Sequence, residues 1–197
     1  MKKVTIFQDI KLIKEPHHIH LETALLRIQQ GHSKKLIREV RKGNKEKKIK
    51  LPVICFSGEF SSRTDECLFE HSEFIILDFD HVDVKTTKTA LATDDFIYSC
   101  WVSPSGDGIK ALVRLTNPER HRDHFRALIT YFNRQYGLEV DESGINESRA
   151  CFESWDPDII IKDEYKKFGA FTTEHAEAQT PVNASYSYTD YMKLNLA

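Results

Sequence analysis

The sequence predicts an α+β fold, with helices packed on a mainly antiparallel sheet. Three observations carry this. Phe74–Phe79 (FIILDF) is a strand-length apolar run bounded by charge. Residues 96–102 (FIYSCWV) and 109–115 (IKALVRL) are two more, joined by the turn-rich SPSGDG of 103–108, so they read as a hairpin. Phe125, Leu128, Ile129, Phe132 and Tyr136 then recur at helical spacing and make one apolar stripe.

The remaining elements follow in chain order. Residues 4–7 read as a first strand. After Pro16, the apolar positions Ile19, Leu21, Leu25, Leu26 and Ile28 predict a helix that Gly31 stops. Ser33 is the expected N-cap of a second helix carrying Leu36, Ile37 and Val40 and ending near Gly43. The Lys-, Gly- and Asn-rich residues 43–50 predict a loop, and 51–56 a strand ended by Ser57-Gly58. Phe74–Phe79 fits a buried central strand. Asn117 as cap and Pro118 at the first helical position start the amphipathic helix, and Gly137 ends it. Residues 138–140 read as a short strand stopped by Asp141, with Cys151 and Phe152 on another. From Thr172 the pattern fades, so 1–171 is expected to be the folded part and 172–197 a tail or linker.

Composition narrows the function classes. No apolar run approaches ~18 residues, so no membrane partner is expected. The basic start has no apolar segment behind it, and Cys55, Cys67, Cys100 and Cys151 stand singly, which points to a cytoplasmic chain with free thiols. A net charge of -2 excludes a wholly basic nucleic-acid binder. Charge is nevertheless uneven: from Arg27 to Lys50 ten basic residues face two acidic ones, a local charge of +8. Lys34, Lys35, Arg38, Arg41 and Lys42 are therefore candidate contacts to a phosphate backbone. The competing reading is a solvated helix face.

Asp78 and Asp80 end the FIILDF run two residues apart, so both side chains point to one face. Paired carboxylates raise each other's pKa unless a cation neutralises them, and a hard divalent ion such as Mg²⁺ does this with oxygen ligands. Asp141, at the end of another short apolar run, is a candidate third ligand. Three such carboxylates can hold two ions about 4 Å apart for in-line phosphoryl transfer. Against this stands the frequency of solvent-facing Asp at strand ends. In the 103–110 segment, Ser105, Gly106 and Gly108 can turn backbone N–H groups toward a phosphate, with Lys110 beside them; the alternative is an ordinary hairpin turn. Arg149 can pair with the carboxylates or clamp a phosphate. His17, His18 and His20 read as exposed, as do His121 and His124. Motifs of serine hydrolases, Walker-type NTPases and zinc proteases are missing.

The ordered segments FIILDFD (74–80), SPSGDGIKALV (103–113), GLEVD (137–141) and NESRACFESWDPD (146–158) resemble the archaeo-eukaryotic primase superfamily. They are most similar to the primase-polymerase-like domain that precedes VirE-type helicase domains in bacterial mobile and viral elements, and LPVICFSGEFSSR (51–63) resembles that subfamily too. The resemblance implies an RRM-like core over about 71–165, preceded by an N-terminal α/β unit over about 1–70. It implies that Asp78, Asp80 and Asp141 are the catalytic, metal-binding acids for Mg²⁺ or Mn²⁺. It implies that Ser105, Gly106, Gly108 and Lys110 contact the nucleotide's phosphates, with Arg149 nearby. Lys110 stands where that superfamily usually has histidine.

The expected activity is template-dependent nucleotidyl transfer, as a DNA primase or polymerase. Its expected partners are single-stranded or primed DNA, nucleoside triphosphates and a helicase domain or subunit. Two alternatives remain open. ILDFDHVDV also resembles the first motif of HAD-type phosphatases, with Asp78 as nucleophile, which requires a parallel Rossmann-like sheet. The domain can also be a non-catalytic nucleotide- or single-strand-binding module coupled to a helicase.

Overall fold

The computed structural model describes residues 1–170; the expected tail over 172–197 lies outside the described residues. The chain opens with β1 (Lys3–Phe7) and β2 (His17–His20), an antiparallel pair with Lys3 opposite His20. The expected helix therefore starts later than its apolar spacing suggested. Residues 17–20 satisfy the open edge of β1 first, after a turn at Glu15 with φ 63°. Helix α1 (Leu21–Gln30) then buries Leu21, Ala24, Leu25 and Ile28, the i, i+3, i+4, i+7 stripe, and Gly31 closes it in the left-handed conformation. In α2 (Lys34–Arg41) Ser33 occupies the N-cap position but does not cap; its hydroxyl donates instead to buried Glu153. Lys45–Lys50 form a 3-10 turn where a loop was expected.

β3 (Val53–Cys55) is followed by a hairpin the sequence did not reveal, β4 (Gly58–Phe60) with β5 (Leu68–His71). β6 (Phe74–Phe79) comes as expected. A second unforeseen element is α3 (Val84–Thr93): only Thr87 and Leu91 are buried in it, too sparse a stripe to register, although Asp83 caps it by accepting from the Thr86 N–H at 2.8 Å. β7 (Ile97–Val102) and β8 (Ile109–Arg114) form the expected hairpin. Pro118–Arg120 form a 3-10 turn without a side-chain cap from Asn117, and lead into α4 (His121–Tyr136). Short β9 (Cys151–Phe152) and β10 (Ile160–Ile161) complete the fold. No helix among the described residues is long and apolar enough to cross a membrane.

The segment β6-α3-β7-β8-α4 is a split βαβ arrangement with strand order β6-β8-β7, all antiparallel, extended by β10 beyond β7. This is the α+β, RRM-like core. β6 is at the edge of this ladder rather than at its centre. Residues 138–141 run beside that edge without forming the expected strand, and the Asp141 N–H donates to the Asp78 carbonyl at 2.9 Å. A second sheet, order β2-β1-β3-β9, belongs to the N-terminal unit. That unit is not a contiguous 1–70 segment, because the chain returns after α4 to lay β9 on β3, Ile54 opposite Cys151.

Period-two alternation in β6 feeds two cores. Ile75, Leu77 and Phe79 pack with Ala111 and Val113 against Leu91 of α3 and Phe125, Leu128 and Phe132 of α4. Phe74 and Ile76 pack with Trp101 and Leu112 against Val4, Leu25, Ile28, Ile54 and Phe56 of the N-terminal unit. The sheet is thus covered on both faces, which explains the nearly unbroken apolar run of Phe74–Phe79. His121 and His124, expected near the surface, are buried. His121 Nδ1 lies 3.1 Å from His71 Nε2, and His124 Nδ1 lies 2.7 Å from the Ala170 carbonyl oxygen. Burial pushes His71 down to about 4 and His121 to about 3, so both are neutral rings inside the fold.

Candidate metal and anion cleft

Asp78 is the even-numbered residue of β6 that follows Phe74 and Ile76, so it faces the N-terminal unit rather than α4. In the antiparallel register its cross-strand neighbour on β8 is Lys110, on the same face. The two form a nearly buried ion pair. Asp80 lies just past the end of β6, exposed at the cleft mouth. Asp141 is brought to β6 by the backbone bond to Asp78, and it caps the 3-10 turn Glu142–Gly144, accepting at Oδ1 from the Ser143 N–H at 3.0 Å. Its Oδ2 accepts from Ser143 Oγ and from Arg149 Nη2, each at 2.7 Å. Arg149 Nη2 is also 4.0 Å from Asp78.

The three aspartates expected to act together do converge. Each offers an oxygen, and these oxygens lie within 4.8 Å of one another. Asp78 Oδ1 is buried with no hydrogen-bond partner. A buried carboxylate oxygen left unpaired is costly, and a hard divalent cation is the ligand that best relieves it. The donor set therefore fits Mg²⁺ or Mn²⁺.

The electrostatics agree with a partly neutralised site. Burial, then the charge of Asp78, push Asp80 above the usual carboxylate value, with Lys110 opposing. Burial acts on Asp141 in the same direction, but hydrogen bonds from Ser143 and the Arg149 charge outweigh it and hold Asp141 below that value. Burial works against the Lys110 charge; the Asp78 carboxylate paired with it outweighs that and keeps the ammonium above its ordinary value.

These groups line a cleft of about 500 Å³ between the core sheet and the N-terminal unit. Of the residues expected to meet a nucleotide, Ser105, Lys110 and Arg149 line it. Gly106 and Gly108 serve the turn instead. The Gly106 N–H, expected to face a phosphate, donates to the Ser103 carbonyl at 3.0 Å. A Cβ on Gly108 would stand 2.6 Å from the Phe79 carbonyl oxygen, so glycine there lets the turn close against Asp80. Lys48, Arg63, Ser143, Asn146, Ser148 and Phe152 also line the cleft and were not singled out in the sequence. Lys48 lay in the basic run, Arg63 in the 51–63 segment and Asn146, Ser148 and Phe152 in the 146–158 segment, each as part of a stretch rather than as a site residue; Ser143 carried no signal.

That run is not a free comb of charges. Lys34 Nζ lies 4.3 Å from the Trp155 ring centroid, with the Arg38 and Arg41 guanidinium carbons at 5.4 and 5.8 Å. Arg41 Nη2 donates to the Trp155 and Ser103 carbonyls at 2.9 and 3.2 Å, which ties α2 to the turn beside the cleft. Lys42 lies 3.5 Å from Glu39, and Lys35 is exposed. Among the described residues the pairings within the core sheet are antiparallel, so the parallel Rossmann-like sheet required by the phosphatase reading is not there.

The model of the BT4734-like N-terminal domain family matches residues 46–160, more than half of the chain. The chain belongs to that family. No curated protein and no solved structure matches it. The BT4734-like region starts at the 3-10 turn carrying Lys48 and includes all the cleft-lining side chains named above. Helices α1 and α2, with most of the basic run, precede it.

Proposed function

We propose that this BT4734-like domain is a template-dependent nucleotidyltransferase, a primase-polymerase that joins nucleoside triphosphates on single-stranded or primed DNA. The observation that carries the reading is the convergence of Asp78, Asp80 and Asp141 beside Lys110 and Arg149 in one cleft. The resemblance to the archaeo-eukaryotic primase superfamily supplies the reaction class and the expectation of a helicase partner in a mobile or viral element. Bound Mg²⁺ or Mn²⁺ would supply Lewis-acid activation of the attacking 3′-hydroxyl and charge neutralisation of the leaving pyrophosphate.

The protein's own groups do the rest. Asp78, Asp80 and Asp141 provide the oxygen cage. Lys110 fixes the Asp78 carboxylate, and Arg149 fixes Asp141 while keeping its guanidinium near Asp78. Ser105 lines the cleft where it could meet the triphosphate, and Arg41 ties the basic helix α2 to the 103–108 turn beside the cleft, which supports a role for its exposed cations in holding a template strand.

The test is primer extension with deoxynucleoside triphosphates and Mn²⁺. Asp80→Asn should lower the rate by about a hundredfold or more, because it removes a charge from the site of charge development. Asp80 is exposed and makes no ion pair within 4.0 Å among the described residues, so this variant leaves the fold in place. Unchanged extension in Asp78→Ala with Asp80→Ala would remove the assignment.

One observation favours a second reading. Asp78 and Asp141 already have cationic partners, as in a purely structural network. A non-catalytic nucleotide- or single-strand-binding module would show tight binding of single-stranded DNA without incorporation.

A further inference from the structure

Four cations line the cleft, and they fall into two kinds. Lys110 and Arg149 are held by Asp78 and Asp141. Lys48 and Arg63 have no carboxylate within 4.0 Å among the described residues. With two of the three aspartates already neutralised, only Asp80 opposes the two unpaired cations. The cleft therefore attracts anions before any metal enters it.

Arg63 is built into place. Its backbone N–H donates to the Ile13 carbonyl at 2.8 Å and its Nη2 donates to the Ile10 carbonyl at 2.6 Å. Its Nε is buried and has no partner. An anchored guanidinium with an unused, desolvated donor is costly unless an acceptor arrives. Lys48 stands on the Lys45–Lys50 turn with its ammonium 5.4 Å from the ring centroid of Phe152. Phe152, Ile10 and Ala150 make an apolar wall on the same side of the cleft.

We propose that Lys48 and Arg63 form an anion seat on the N-terminal wall of the cleft, and that the seat takes the polyphosphate of a nucleotide whose base or sugar lies against Phe152 and Ile10. The choice of a nucleotide rests on the nucleotidyltransferase reading; the anion seat itself does not. Lys48 and Arg63 are then the groups that recruit the polyphosphate, whereas Lys110 and Arg149 order the carboxylates. A cleft of about 500 Å³ is in the size range of small-ligand sites.

The experiment is calorimetric titration of the full chain, in EDTA, with inorganic tripolyphosphate and separately with a deoxynucleoside triphosphate. Both should bind, and the nucleotide should bind more tightly because it adds the apolar contact. Arg63→Gln and Lys48→Gln should each weaken tripolyphosphate binding about tenfold, the loss of one charge-assisted contact. The Lys48 side chain makes no hydrogen bond among the described residues, and its carbonyl, which accepts from the Leu51 N–H, is kept in Lys48→Gln, so this variant decides the matter if Arg63→Gln fails to fold. Wild-type affinity for tripolyphosphate in Lys48→Gln, or no binding by the wild type, would overturn the seat. A nucleotide bound no more tightly than tripolyphosphate would overturn the assignment to nucleotides. Loss of primer extension with intact, Lys48-dependent anion binding would sink the polymerase reading and leave the seat standing. Asp80-dependent extension with unaltered binding in Lys48→Gln would do the reverse.

Discussion

Two sets of acidic residues in this molecule are treated differently by the fold. Glu153 is wholly buried and accepts from Arg27 Nε at 2.6 Å and from Ser33. Asp156 accepts from Lys88 at 2.6 Å, from the Val102 N–H at 2.9 Å and from the Asp158 N–H at 3.1 Å. Asp94 accepts from two backbone N–H groups and from the hydroxyls of Tyr131 and Tyr136. Both oxygens of each of these carboxylates have a hydrogen-bond partner, and the groups tie segments together. In the cleft, by contrast, Asp78 keeps a buried oxygen without a partner, and the carboxylate form of Asp80 is disfavoured by its surroundings. Both sets are fixed by the same backbone, so the difference lies in what remains unsatisfied. A fold can leave such groups open only where stability elsewhere covers the cost, and that is where a ligand gains most.

The comparison can be broken by substitution. Glu153→Ala strands the Arg27 guanidinium and the Ser33 hydroxyl, and should lower the unfolding free energy by about 3–5 kcal/mol in urea titrations. Asp78→Ala should cost a similar amount, because it leaves Lys110 buried without its counter-charge. Adding Lys110→Met should restore most of that loss, a coupling that a double-mutant cycle measures directly. Failure of the rescue would mean that Asp78 supports the fold through more than its ion pair.

Gly108→Ala should cost about 1–3 kcal/mol, since its methyl would meet the Phe79 carbonyl oxygen at 2.6 Å and must push the turn away from Asp80. The same variant should weaken any Mn²⁺-dependent rise in melting temperature. In the wild type that rise should be present and should grow with the logarithm of ion concentration. Asp80→Asn should diminish it.

The smallest effect is on pH dependence. The fold favours the acid form of Asp80, so its contribution to stability falls as pH rises from the ordinary carboxylate value through its raised folded value. The fold favours the carboxylate of Asp141, so that contribution is complete above the unfolded value and is lost as pH falls through its lowered folded value. Asp80→Asn should thus gain stability relative to wild type toward neutral pH, and Asp141→Asn should lose it. Urea titrations compared at each pH between variant and wild type cancel the common titration of buried His71 and His121.

The elements legible in the sequence were those whose local pattern and tertiary role coincide. Phe74–Phe79, the 97–102 and 109–114 hairpin, and α4 with Gly137 behind it each bury the stripe their spacing announces. The elements that escaped have weak patterns of their own. α3 buries two side chains, β4 is three residues long with Phe60 as its one buried side chain, and β5 has no fully buried residue. His17–His20 joined a strand because β1 offered an open edge, a long-range fact that helical spacing cannot express. His121 and His124 were misplaced for a related reason: their partners, His71 and the Ala170 carbonyl, come from other parts of the chain.

The sequence by itself determined that Asp78 and Lys110 occupy strands able to pair, that Asp78 and Asp80 share a side, and that the basic residues cluster before residue 51. Only the tertiary structure decided that Asp141 reaches the other two aspartates, that Arg41 is tied to Trp155 and Ser103, and that Lys48 and Arg63 meet in the cleft unpaired. Periodicity and turn chemistry act over a few residues, so one sequence carries them openly. The convergence of side chains depends on which sheet edge accepts the returning chain, and that is settled by burial across the whole fold.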